Sequence, residues 1–132
     1  LKGITEKQRI FLTQYAGLLQ EIDDAAQYAG ECYIQGDEDI ADRLLASVST
    51  GLIPYNPENM TLTSIFIEDK EAMDQLQHHY SAVLTATQLT EEFTSTKEKM
   101  QFLHETFIPA LHQWHLTVQK YNPNGGNQYA PH

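Results

Sequence analysis

Phe11 to Cys32 reads FLTQYAGLLQEIDDAAQYAGEC, and the spacing of its apolar residues decides the fold. Phe11, Tyr15, Leu18, Ile22, Ala25, Ala29 and Cys32 fall at alternating steps of four and three. That spacing returns each side chain to one flank of a 3.6-residue helix and makes an a/d-type seam. Just upstream, Thr5-Glu6-Lys7-Gln8 matches a capping box: the Thr5 hydroxyl and the Gln8 side chain each accept from a backbone N–H left open by the first turn. Downstream, Gly36 suits the left-handed position after a helix end. The spacing therefore predicts one helix from just after Thr5 to near Ile34, about 43 Å long. A stripe of that length needs other helices to cover it.

Working outward, Asp37, Glu38 and Asp39 place negative charge where a second helix begins, and Asp39 and Arg43 form an i,i+4 pair. Ile40, Leu44, Leu45, Val48 and Leu52 make its apolar stripe, which stops by Ile53 ahead of Pro54. Pro54 to Asn59 is the clearest interruption in the chain. Met60 to Ile67 is apolar and partly β-branched, but a single strand has nothing to pair with. The expectation is an irregular 54–67 connection, a loop or short helical turn packed on the core. A third helix follows from about Glu68 to Phe93, with Met73, Leu76, Tyr80, Val83 and Thr87 along its seam. Ser95-Thr96-Lys97-Glu98 is a second capping box and opens the fourth helix. Its seam is Met100, Leu103, Phe107, Leu111, Trp114, Val118 and Tyr121. Pro109 inside it lacks an N–H and crowds the preceding turn, which predicts a kink near Glu105 to Ile108. The expected fold is all-α: an antiparallel four-helix bundle with a long first helix, an irregular 54–67 connection and a Pro-kinked last helix. It makes a single domain over 1–121, followed by a flexible tail over 122–132.

Gln-Tyr-Ala-Gly occurs at Gln14–Gly17 and again at Gln27–Gly30, but thirteen residues of helix turn the copies onto different faces, so they are no repeat. Gly17 and Gly30 each weaken a helix by about 1 kcal/mol relative to alanine. They mark a close helix approach, or a bend at Gly30.

The chain has 132 residues and a net charge of −10. That field repels phosphate backbones and anionic lipid, so neither nucleic acid nor a membrane is an expected partner. Cys32 is the sole cysteine, has no intramolecular partner and fits a reducing compartment. No apolar run reaches the length of a membrane span. The start, Leu1-Lys2-Gly3-Ile4, is not a signal peptide. It also lacks an initial Met, which leaves room for residues before it. A cytoplasmic location is the expectation.

Chemistry is sparser. His112 and His115 stand three apart and share a helix face, so with His79 they are the metal-ligand candidates. His104 is eleven residues from His115, about 16 Å of rise, and cannot share an ion with it. The Glu-x-x-His pairs of di-iron bundles and the His-Glu-x-x-His zinc motif are missing from the sequence. Glu21, Asp23 and Asp24, with Asp37, Glu38, Asp39 and Asp42, form two acidic clusters that read as solvated rather than catalytic. No nucleophile elbow or phosphate-binding glycine loop occurs, no catalytic residue and no cofactor are assigned, and the expectation leans away from an enzyme.

Leu103-x-x-x-Phe107-x-Pro109-x-x-x-x-Trp114, after Gly36-Asp37-x-x-x-Ala41-x-x-Leu44-Leu45, resembles small uncharacterised all-helical bacterial proteins of unknown function. The resemblance covers about a third of the chain and carries no activity with it. The Gly-Asp-x-x-x-Ala-x-x-Leu-Leu part is also similar to the turn and second helix of tetratricopeptide units, but it occurs once and a solenoid needs at least three. Small acidic helical export chaperones of the flagellar type are similar in size, charge and helix content.

The functional expectation is action through protein contacts, with a second copy or with another protein held in a groove. Tyr15, Leu18, Ile22, Phe107 and Trp114 are the expected packing and interaction anchors. The alternative is a metal- or small-molecule-binding bundle using His112 and His115.

Overall fold

The computed structural model describes residues 3–123, and every regular element among them is helical. In chain order these are α1 (Glu6–Gln35), α2 (Glu38–Leu52), α3 (Met60–Phe66), α4 (Lys70–Thr87), α5 (Leu89–Glu92), α6 (Thr96–Phe102), a π turn (Leu103–Phe107) and α7 (Ile108–Tyr121). None of these helices is long and apolar enough to cross a membrane.

α1 begins and ends as its sequence dictates. The Thr5 hydroxyl accepts from the Gln8 N–H at 3.1 Å, and Gln8 Oε1 accepts from the Thr5 N–H at 2.9 Å. At the other end Gly36 sits at φ 89°, and the Asp37 N–H reaches back to the Cys32 carbonyl at 2.8 Å. The buried face is rotated from the expected seam. Leu12, Tyr15, Leu19, Ile22, Ala26, Ala29 and Tyr33 form its centre, while Phe11, Leu18 and Ala25 stand half-buried at its edge. Both sets follow the same three-and-four spacing one residue apart at alternate positions. α1 packs on α2 along one side and on α7 along the other, so its covered stripe is broad and centred between the two seams.

The same rotation recurs elsewhere. On α4 the buried line is Ala72, Leu76, His79, Val83 and Ala86, and Met73 and Tyr80 move to the flank. Small side chains at the line of contact let neighbouring helices come close and turn the larger ones aside. On α2, Ala41, Leu45, Ser49 and Leu52 are buried, whereas Ile40 is exposed.

The 54–67 connection is irregular only in its first half. Asn59 caps α3, its Oδ1 accepting from the Leu62 N–H at 2.9 Å, and Leu62 and Phe66, one helical turn apart, are fully buried. The expected third helix is two elements. α4 is capped by Asp69 and ends at Thr87, and α5 follows after Gln88. The last helix opens on the Ser95 capping box. Where a kink was expected ahead of Pro109, the chain forms the π turn, with the Ile108 N–H bonded five residues back to Leu103. The wider turn relieves the crowding that the proline ring would impose on the carbonyl four residues before it. Leu103, Phe107, Leu111, Trp114 and Val118 are buried as the spacing predicts.

α1, α2, α4 and α7 close a ring: α1 neighbours α2 and α7, and α4 neighbours the same two. The core lies inside it, and Trp114 is among its fully buried side chains. Gly30 marks a close approach, because a Cβ there would lie 3.2 Å from His104 Cε1, whereas Gly17 faces open space. Asn122 is buried and donates to the Arg9 carbonyl at 3.2 Å and to Thr13 Oγ1 at 2.8 Å. Of the expected tail, residues 124–132 lie outside the described residues.

Candidate functional site

Four of the five expected anchors, Tyr15, Ile22, Phe107 and Trp114, are inside the chain's own core. Leu18 is half-buried and lines a notch of about 120 Å³ with Phe11, Tyr15 and Tyr55. From that notch a line of aromatic rings runs through the core. Tyr15 lies 5.0 Å from Tyr55 between centroids, and its hydroxyl accepts from Trp114 Nε1 at 2.8 Å. Burial drives the Tyr15 hydroxyl well above its ordinary pKa, so it stays protonated. Trp114 meets Phe66 edge-on at 5.0 Å, and Phe66 lies 4.5 Å from Tyr121.

Tyr121 forms part of the wall of a cleft of about 460 Å³ between the start of α1 and the α3–α4 corner. Ile4 and Gln8 line one side; Ser64, Ile65 and Ile67 line the other, with Glu68 and Asp69 at the corner. Gln8 Nε2 donates to Ser64 Oγ at 3.2 Å and ties the two sides together. Asp69 does two jobs: one oxygen accepts from the Ala72 N–H at 3.1 Å, the other from the Tyr121 hydroxyl at 2.7 Å. Those donors, the Tyr121 hydroxyl foremost, hold the Asp69 carboxyl below its ordinary value and keep it charged. Burial, then the bond to Asp69, pushes the Tyr121 hydroxyl up to about 12. Met60, the first residue of α3, is 85% exposed, and Ile67, the residue that caps its end and lines the cleft, is 62% exposed.

His112 and His115 do come together, in a groove of about 290 Å³ between α7 and α1 that Asp23, Gln20 and Leu116 also line. His112 Nε2 lies 2.8 Å from Asp23 Oδ1. Burial lowers the His115 pKa, against the field of Asp23. His79 is not in this groove. It is 2% exposed on α4, and its Nδ1 has no hydrogen-bond partner. Burial, helped by the neighbouring His78, pushes it down to about 4, so it is neutral at physiological pH. Among the described residues no group of three or more His, Cys, Asp or Glu side chains is placed to hold a metal ion.

One polar cluster has no sequence signature. Lys99 is 6% exposed, and its ammonium donates to Glu38 Oε2 at 2.7 Å and Asp42 Oδ2 at 2.9 Å. Asp42 also accepts from the Tyr33 hydroxyl at 2.7 Å. Burial opposes the Lys99 charge, but the two carboxylates outweigh it and raise the pKa above the ordinary lysine value. The acidic residues expected to be solvated are therefore divided. Asp37 and Asp39 face water, whereas Asp42 is enclosed and helps to fasten α6 to α1 and α2.

A last concavity, about 350 Å³, lies between α5 and the π turn, with Phe93 and Phe102 as its apolar wall and Glu98 and Glu105 at its rim.

These elements define an all-helical protein with a buried aromatic core, an internal ion network and several open surface concavities. The chain belongs to the family described as a domain of unknown function (DUF8042), whose model matches residues 10–117. No curated protein and no solved structure matches the chain.

Proposed function

We propose that this protein acts by docking another protein on the outer face of α3 and the cleft beside it. The observation that carries this is Met60 and Ile67 together, two large exposed apolar side chains at the two ends of α3, the second of which lines a concavity of about 460 Å³. Apolar area left next to a concavity is what a partner's side chains fill. The charge argues for a partner of opposite sign rather than a second copy. Two copies would bring together twice the net charge of −10, while a basic partner is drawn in.

The ring of α1, α2, α4 and α7, with its short connections, supports an antiparallel four-helix bundle acting as one domain over 1–121. A buried, unpaired Cys32 suits a reducing compartment, and the cytoplasm is the location that fits it.

The test is a doubly substituted chain, Met60→Asp with Ile67→Asp. Both positions are exposed, so each change moves stability by less than about 0.5 kcal/mol. The wild-type chain, recovered from its native cells, is expected to bring a basic protein with it in constant proportion, and the double variant to lose that protein. Equal recovery with the double variant would reject this surface.

A further inference from the structure

We propose that the pocket between α5 and the π turn receives a lysine or arginine side chain of a basic partner protein. This rests on the reading that the protein works through protein contacts, and it gives a second surface with its own chemistry. The wall is aromatic: the Phe93 and Phe102 rings lie 5.2 Å apart between centroids, and Phe102 is braced behind by Phe107 at 6.1 Å. The rim is anionic. Glu98 is fixed by the backbone N–H groups of Thr94 at 3.1 Å and Ser95 at 3.3 Å, which hold its carboxyl below the ordinary range. Glu105 projects from the π turn into solvent and pairs with no cation among the described residues. Glu91 and Glu92 on α5 are exposed next to Phe93 in the chain.

The cations nearby do not balance these charges. Lys97 is exposed on α6, but Lys99 is turned inward to Glu38 and Asp42. A long cationic side chain satisfies both parts of the pocket. Its methylene stem lies against Phe93, the half-buried ring of the pair, with the nearly buried Phe102 beneath, and its charged head reaches Glu105, with a cation–π contribution from Phe93. A neutral apolar side chain would cover the rings but would take water from the rim carboxylates without replacing it, at a cost. The π turn builds the geometry, because Glu105 and Thr106 of the rim belong to it.

The experiment is calorimetric titration of the full chain with hexa-arginine and hexa-lysine peptides, at low and at physiological salt. Saturable binding of both peptides is expected at low salt, weakening as salt rises. Glu105→Gln and Phe93→Leu are each expected to weaken it at least about fivefold. Glu105 is exposed, so its variant folds, and Phe93→Leu keeps apolar volume while removing the ring. Glu21→Gln, an equal loss of charge on the outer face of α1, is expected to change affinity less than about twofold. Equal weakening by Glu21→Gln and Glu105→Gln would overturn the proposal and show attraction to net charge alone; so would the absence of binding at low salt. The pocket shares no lining residue with the α3 cleft, so either outcome leaves the test at Met60 and Ile67 independent.

Discussion

Lowering the pH from about 7 to about 5 offers a proton to His79 that the folded chain cannot accommodate. The ring is 2% exposed and its Nδ1 is already unpartnered. The buried faces of the elements packed on α4, namely α2, α7, the π turn, α3 and α5, carry no titratable side chain that could answer a positive charge. Asp42 on α2 is committed to Lys99 and Tyr33, and His78 opposes a second charge. The pKa is pushed down to about 4 in the fold against 6.5 for an ordinary histidine. The unfolded chain therefore takes up the proton first. The stability this gives the fold is complete above about pH 6.5 and drains away as pH falls toward 4, at about 1.4 kcal/mol per pH unit. Between about pH 6.5 and 5 the loss is about 2 kcal/mol. Glu38, Asp69 and Glu98, whose pKa values are lowered in the fold, add their own loss only as pH drops through the carboxylate range below that window. Urea unfolding followed by far-UV circular dichroism across the window measures the slope. His79→Leu is expected to flatten it by about 2 kcal/mol, more than His115→Gln, because His115 is only half-buried. Parallel slopes for wild type and His79→Leu would refute the argument.

Lys99→Met leaves Asp42 enclosed with only the Tyr33 hydroxyl as its neighbour, and is expected to cost about 2 kcal/mol in urea unfolding, less than a wholly dry ion pair because both carboxylates still reach water. Adding Asp42→Asn should recover part of that loss, and a purely additive double variant would show that the pair is not coupled. Tyr15→Phe leaves the fully buried Trp114 Nε1 without its acceptor and is expected to cost about 1–3 kcal/mol, read as a lower urea midpoint at unchanged slope.

What the sequence could show was local. Both capping boxes, the Gly36 end of α1 and the Asp37 start of α2 depend on residues three or four apart, and each stands where spacing puts it. The seams had the right period but were turned by a fraction of a residue. Phe11 and Leu18 gave way to Leu12 and Leu19 because the direction of a helix face is set by two neighbours, which no single helix encodes. α3 was ambiguous because a short segment that mixes apolar and β-branched residues satisfies strand and helix alike until Leu62 and Phe66 find a core. Pro109 announced a distortion, and the π turn is the form it took. The candidate sites are less legible, since each is made by distant partners. His112 and His115 share a face by spacing, but Asp23 joins them across 89 residues, and Lys99 meets Glu38 across 61. Burial of His79 in place of Tyr80 follows from the same rotation that displaced the seams.

The central claim, that the α3 face is a working surface, is tested most directly by placing a photoreactive side chain at residue 60 and irradiating the protein in its native cells. A single adduct with a basic protein, absent when Ile67→Asp is added and absent when the reactive group is moved to residue 21, is the predicted result. No adduct at 60, or the same products from 60 and 21, would contradict it.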